Sequence, residues 1–171
     1  MGTTKQYAQW IAEILGAELL DRKSVSVAQF SQYDIVVYGG GLYAGGILGV
    51  DLFSKFKPNH HLVVFTVGLA DPSVTDYTEI VAKCFPKKHS QPEKVFHFRG
   101  GIDYGKLNFV HRGLMAMLKK KVEKTSKAEM SAEGKAILET YGKQIDFTDR
   151  ETIMPLIAYV KEVQISKKEG L

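Results

Sequence analysis

Three glycine-bearing segments hold the residues best placed for chemistry. They are Tyr38-Gly-Gly-Gly-Leu-Tyr-Ala-Gly-Gly46, Thr66-Val-Gly-Leu-Ala-Asp-Pro72 and Arg99-Gly-Gly-Ile-Asp-Tyr104. Glycine lets a backbone approach a bound molecule closely and frees its amides to donate to it. Six glycines fall between Ile35 and Val50, more than a turn requires. A fourth segment, Gly2, Thr3 and Thr4, opens an amphipathic stretch. Exposed amides and the dipole at a helix N-terminus attract phosphate, and the two hydroxyls add donors. Plain N-capping by Thr3 or Thr4 explains the same residues taken alone.

Other constellations are weaker. Gly39-x-Gly41-x-x-Ala44 matches a dinucleotide fingerprint, but the acidic residue expected about 20 positions on is replaced by Asn59, His60 and His61, and Asp71 comes too late. On an extended segment the adjacent His60 and His61 point apart, a poor metal pair, and no Cys or His spacing suggests zinc. His97 lies inside an apolar strand and reads as a satisfied core histidine. Cys84, beside Phe85 on an apolar helix face, reads as a buried thiol. His111 and Arg112 follow Tyr104 and could touch an anionic substrate or partner, or be solvated helix charges.

The elements that must position these residues follow from apolar spacing. Tyr7, Trp10, Ile11, Ile14 and Leu15 form one face of a helix ended by Gly16. Ala17 to Leu20 reads as a short strand and Val25 to Phe30 as a short helix or turn. Asp34 to Tyr38 reads as a buried strand that stops in the glycine run. Ile47 to Phe56 reads as a helix, His61 to Thr66 and Val95 to Phe98 as strands. Ser73 and Asp76 cap a helix carrying Tyr77, Ile80, Val81, Cys84 and Phe85 on one face. Gly100 to Gly105 reads as a loop and Leu107 to Glu123 as a helix. Thr148 to Glu151 has capping-box spacing before a closing helix with Ile153, Leu156, Ile157 and Val160; Pro155 either kinks that helix or fixes its first turn. Such βα alternation argues for a parallel sheet covered on both faces, with ligands beyond the carboxyl ends of its strands.

The 171 residues make one domain, and 44% hydrophobic residues are enough to exclude a disordered chain. One cysteine excludes an internal disulfide and points to a reducing, cytoplasmic location. No apolar run reaches the length of a spanning helix, and no signal peptide or myristoylation pattern is legible at the N-terminus. The net charge of +4 is too mild to indicate nucleic acid, which is not expected as a partner. Its clustering matters more. Lys119, Lys120, Lys121, Lys124 and Lys127, following Leu114, Met115, Met117 and Leu118, are expected to form an interfacial element that could reach a membrane peripherally.

Gly2-x-Thr4 before an amphipathic helix resembles the end of the flavodoxin phosphate loop. The strand order, the glycine segment after Tyr38 and the Thr66-Val-Gly-Leu-Ala70 segment resemble the flavodoxin-domain family, including its quinone-linked protoporphyrinogen dehydrogenases. Val95-Phe96, Gly100-Gly-Ile-Asp-Tyr104, His111-Arg112 and Phe147-Thr-Asp149 resemble the long insertion and final helix of that subgroup. The resemblance implies a single flavodoxin-like α/β/α sandwich over 1–171, with a basic insertion at about 99–147. It implies FMN held by Gly2, Thr3 and Thr4, by Gly40, Gly41, Leu42, Tyr43, Ala44 and Gly45, and by Val67, Gly68, Leu69 and Ala70. Tyr43 would pack on the flavin ring, with Leu69 and Ala70 across from it.

Two functions are then expected from different classes. One is an FMN oxidoreductase passing electrons between a small molecule, such as a porphyrinogen, and a quinone or protein acceptor. The other is an electron carrier or a flavin-less binding module on the same fold. A positive chain departs from the usually acidic carriers and favours the enzyme. The family's sheet order, 2-1-3-4-5, also places an interior strand before Gly2. The expectation is about ten further residues upstream, or a slot filled by another segment or by a partner chain in an oligomer.

Overall fold

The computed structural model describes residues 2–30, 32–43, 45–54, 61–86, 91–126 and 129–169. Helix α1 (Thr3–Leu15) is followed by α2 (Val27–Phe30), strands β1 (Ile35–Tyr43) and β2 (Gly46–Ile47), and a 3-10 turn over Val50–Ser54. Then come β3 (His61–Gly68), α3 (Thr78–Cys84), β4 (Lys94–Arg99) and β5 (Gly101–Asp103). Helices α4 (Phe109–Glu123) and α5 (Ala132–Thr140), strand β6 (Gln144–Asp146) and helix α6 (Met154–Glu169) complete the chain.

Strands β1, β3 and β4 are parallel in that spatial order, and β2 folds back antiparallel on the end of β1. The side chains of β3 alternate between two cores, as the two-residue period of a strand requires. Val63, Phe65 and Val67 pack with Tyr7 and Ile11 of α1, with Ile153 in the 3-10 turn before α6, and with Leu156, Ile157 and Val160 of α6. Leu62 and Val64 pack with Phe30, Tyr38, Ile47, Phe53 and Phe85 on the opposite face. The result is the expected α/β/α sandwich. Tyr7 ties its layers together: its buried hydroxyl donates to Arg99 O at 2.8 Å and accepts from Asp149 N at 3.0 Å.

Several local expectations are corrected. Ala17–Leu20 is irregular, and among the described residues no strand lies along the edge of β1 from Ile35 to Gly41 on the side away from β3. A strand exists only with a neighbour to bond, and Ala17–Leu20 has none. The glycine run Gly39–Gly41 is the second half of β1 rather than a loop. Its glycines are there for space: a Cβ on Gly39 would lie 2.2 Å from Phe65 Cζ, and one on Gly40 2.4 Å from Ile47 Cγ2. Glycine conformational freedom is used instead at Gly45, where φ is 75° in the β1–β2 connection. Of the helix expected over Ile47–Phe56 only a 3-10 helix at Val50–Ser54 forms; Ile47 is in β2, and residues 55 and 56 lie outside the described residues.

Gly101–Asp103 is a strand paired antiparallel with β6, not a loop. This pairing brackets α4 and α5, which pack on each other, so the basic insertion is a built subunit of the fold rather than a loose excursion. At the last helix, Asp149 Oδ1 accepts from Glu151 N at 2.9 Å, and Pro155 sits in the first turn of α6, where its missing amide costs no helical bond. At α3, Asp76 Oδ1 accepts from Thr78 N, whereas Ser73 bonds Asp71 rather than sharing the cap.

Candidate functional site

The carboxyl ends of β1, β3 and β4 meet the N-terminus of α1. Gly2 is the N-cap residue, extended at φ −74° and ψ 146°, and contributes no side-chain cap. Thr3 and Thr4 therefore enter the helix with hydroxyls and amides at the end of the sheet. The glycines of the neighbouring segments make room for them. A Cβ on Gly100 would sit 2.9 Å from Thr3 Oγ1 and 2.6 Å from Val67 Cγ1; one on Gly41 would sit 3.5 Å from Thr4 Oγ1. A Cβ on Gly68 would sit 2.9 Å from Leu42 Cδ1. Four stretches distant in sequence thus meet at the start of α1, packed closely enough that a side chain at Gly68 or Gly100 would collide with Leu42, Val67 or Thr3.

Six of the thirteen residues expected at a cofactor come together here: Thr3, Thr4, Gly41, Leu42, Val67 and Gly68. Others are placed differently. Gly40 is buried against Ile47 and Leu48, and Ala70 is 2% exposed, so Gly68 and Leu69 remain the accessible part of the β3 segment. Tyr43 ends β1 half-buried, its ring 6.0 Å from that of His111 at 70°, an edge-to-face contact that brings the first turns of α4 to the mouth of the crevice. Gly45 forms the following turn. Ala44 lies outside the described residues.

His111 is anchored by Asn108, whose Oδ1 lies 2.7 Å from Nδ1 and accepts from the His111 amide at 2.9 Å. Arg112 is exposed and donates to Gly105 O at 3.1 Å, which ties α4 to the turn after β5. Tyr104 rests 5.1 Å from the ring of Tyr141; its hydroxyl oxygen is buried with no partner among the described residues, and burial raises its pKa above the ordinary tyrosine value.

Arg99 has a structural part that its place in the glycine segment did not reveal. Its Nε donates to Leu69 O at 3.0 Å, and its guanidinium lies 3.7 Å from the centre of the Phe147 ring. One cation therefore clamps the β3 segment to the strand that returns from the insertion. The only sequence signal was a charge closing the apolar run of β4. Asp71, next along, has its carboxyl held below the usual range by hydrogen bonds from Ser73, with Arg99 adding a smaller effect.

His97 is half-buried rather than in the core, and its ring is satisfied by neighbours. Its Nδ1 lies 2.6 Å from buried Thr66 Oγ1, its ring stacks on Tyr77 at 3.8 Å and 13°, and desolvation lowers its pKa to about 4. His61 pairs with Glu93 at 2.8 Å, and His60 lies outside the described residues. Cys84 is half-buried, accepting from Ile47 N at 3.3 Å. No group of acidic, histidine or cysteine side chains suited to a metal occurs among the described residues.

A mostly parallel sheet flanked by helices, with glycines at its carboxyl edge beside a helix N-terminus, defines a flavodoxin-like α/β fold. The family model described as Flavodoxin domain matches residues 1–129, so the chain belongs to the flavodoxin-domain family. That family typically binds a flavin and moves electrons. No curated protein and no solved structure matches the chain. The donor chemistry at this end of the sheet fits such a group: the Thr3 and Thr4 hydroxyls and the first amides of α1 stand beside Gly100 and Gly41.

Proposed function

We propose that the chain is an FMN-dependent oxidoreductase passing electrons between a small organic substrate and a quinone or protein acceptor, in the manner of the flavodoxin-type protoporphyrinogen dehydrogenases. The observation that carries the reading is the approach of Thr3 and Thr4 to Gly100 and Gly41, which joins the start of α1 to the ends of the parallel strands in one cradle. Thr3 and Thr4 would bind the phosphate through hydroxyls and helix amides. Gly41, Leu42 and Tyr43 would flank the ring on one side, Gly68 and Leu69 on the other, and Arg99 would hold Leu69 in place. The cofactor, when bound, supplies the electron chemistry; the protein binds it, orients it and limits water.

The insertion favours an enzyme over a simple carrier. The edge-to-face contact of His111 with Tyr43 supports reading α4 as an element beside the mouth of the site. A porphyrinogen is the substrate class suggested by the resemblance of the Gly100–Tyr104 and His111–Arg112 segments.

The test is reconstitution. The chain is incubated with FMN, desalted and scanned. The reading expects a retained flavin spectrum, bleached by dithionite and restored by a quinone analogue or air. Protein that is folded by circular dichroism yet emerges colourless would overturn the reading and leave a flavin-less binding module. A retained flavin that no porphyrinogen reduces would support the carrier instead.

A further inference from the structure

We infer that the outward face of α4 docks the molecule on an anionic lipid surface. At 3.6 residues per turn, Phe109, Val110, Gly113, Ala116, Met117, Lys120, Lys121 and Lys124 fall within one arc. All of them are exposed, Phe109 by 91%, Val110 by 73% and Met117 by 61%. The opposite arc is packed: Met115 is buried and Leu114, Leu118 and Val122 are half-buried against the domain. Lysines and apolar residues therefore divide by face, which revises the expectation from sequence. Leu114, Met115 and Leu118 do not belong to the interfacial element, while Phe109 and Val110 do.

Lys119 also leaves the set. Its Nζ pairs with Glu123 at 3.3 Å and sits 4.7 Å from the centre of the Tyr141 ring, on the packed side. Lys120, Lys121 and Lys124 join no ion pair among the described residues, and Lys127 lies outside them. The lysines alone have a structural explanation, since cations near a helix C-terminus oppose its dipole. That explanation leaves Phe109 and Val110 unaccounted for, two large apolar side chains presented to water at the opposite end of the same face.

An apolar half and a basic half on one exposed helical face fit the two components of an anionic bilayer surface, acyl boundary and charged headgroups. A nucleic-acid backbone would match the lysines but not the apolar half. Lipid charge complements a patch with no free acidic group on it, and each lysine near such a surface raises partition on the order of fivefold. The inference rests on the surface of α4 and not on the flavin reading.

The experiment is cosedimentation of the full chain with vesicles of phosphatidylserine and phosphatidylcholine in equal parts, and with phosphatidylcholine alone. It is run at about 20 mM and about 500 mM salt, which move the Debye length from roughly 20 Å to a few ångströms. Binding is expected to the mixed vesicles at low salt, with a strong loss at high salt and little binding to the neutral ones. Lys120→Gln/Lys121→Gln/Lys124→Gln should weaken it on the order of a hundredfold, and Phe109→Ser/Val110→Ser at least tenfold. All five side chains are exposed, and unchanged thermal melting would confirm intact folds. Absence of binding to mixed vesicles at low salt, indifference to either set of substitutions, or equal binding to a DNA duplex in the same buffer would overturn the inference.

Discussion

Strands β3 and β1 lie side by side in register, both rich in β-branched residues, and their surroundings differ. Residues 62–67 of β3 are buried without a break, because β1 and β4 bond its two edges and helices cover both faces. In β1 only Tyr38 and Gly40 are buried, and among the described residues the edge away from β3 bonds a strand only at Leu42 and Tyr43, through β2. Val63 and Val37 face each other across the ladder, one fully buried and one half-exposed. Burial here is set by neighbours, not by the hydrophobicity of the strand itself. The same neighbours place the candidate site: β1 contributes its glycines and tyrosine at an edge, β3 its loop from the rigid centre.

The largest effect is expected at the centre. Phe65 is 1% exposed, packs 5.5 Å from the Phe98 ring and occupies the space that Gly39 leaves open. Phe65→Ala should destabilise by about 3–5 kcal/mol in urea unfolding, since a glycine backbone cannot collapse into the cavity. A loss under about 1 kcal/mol would mean that β3 is not the spine of the fold.

An added strand sharpens the comparison. Extending the chain upstream of Gly2 with an apolar segment of about ten residues followed by a Ser/Thr loop should stabilise the domain by about 2–4 kcal/mol if the segment bonds the open edge of β1. It should also favour a monomer and tighten FMN binding. Equal stability and equal affinity in the two chains would show that the edge does not take a strand from that direction.

Matched truncations give the next smaller contrast. Val63→Ala should cost about 2–3 kcal/mol and Val37→Ala about 1 kcal/mol or less, read from denaturant midpoints at constant slope. In the extended chain the second value should rise toward the first. Equal costs in the present chain would contradict the difference in burial.

His97 provides a pH signature of the β3–β4 pairing. Its pKa, lowered to about 4 by burial, is below the unfolded value, so the unfolded chain binds the extra proton between about pH 6.5 and 4. This contribution is fully present above about pH 6.5 and is lost as pH falls to 4. The full linkage would be about 3 kcal/mol; with the ring partly reached by solvent, about 1–2 kcal/mol is expected. His97→Phe should flatten the stability profile over that window. An unchanged slope would show that the imidazole is not held neutral.

Elements carried by side-chain period were legible in the sequence. The faces of α1 and α6, the apolar runs of β3 and β4 and the span of α4 all follow from spacing, whereas of the three segments read as loops only the one after Gly68 lies beyond its strand; residues 38–43 belong to β1 and Gly101–Asp103 forms β5. Features decided by partners were not legible. The glycines of β1 carry no side-chain signal of a strand, and only the rings and methyls of Phe65 and Ile47 reveal why they are small. The pairing of β5 with β6 joins residues about forty positions apart across two helices. The clamp from Arg99 to Leu69 and Phe147 is likewise assembled from three separate segments, and Ala17–Leu20 looked like a strand because propensity does not report a missing neighbour.

The most direct test of the cradle compares FMN with riboflavin, which differ by the phosphate assigned to Thr3 and Thr4. Flavin fluorescence is followed as protein is added to each, for the parent chain and for Thr3→Val/Thr4→Val. Four neighbouring segments meeting at the start of α1 predict that FMN binds at least tenfold tighter than riboflavin, and that the double substitution removes most of that difference while leaving riboflavin binding nearly unchanged. Equal affinity for the two flavins, or a preference for FMN that survives the substitution, would contradict the placement of the phosphate and with it the site.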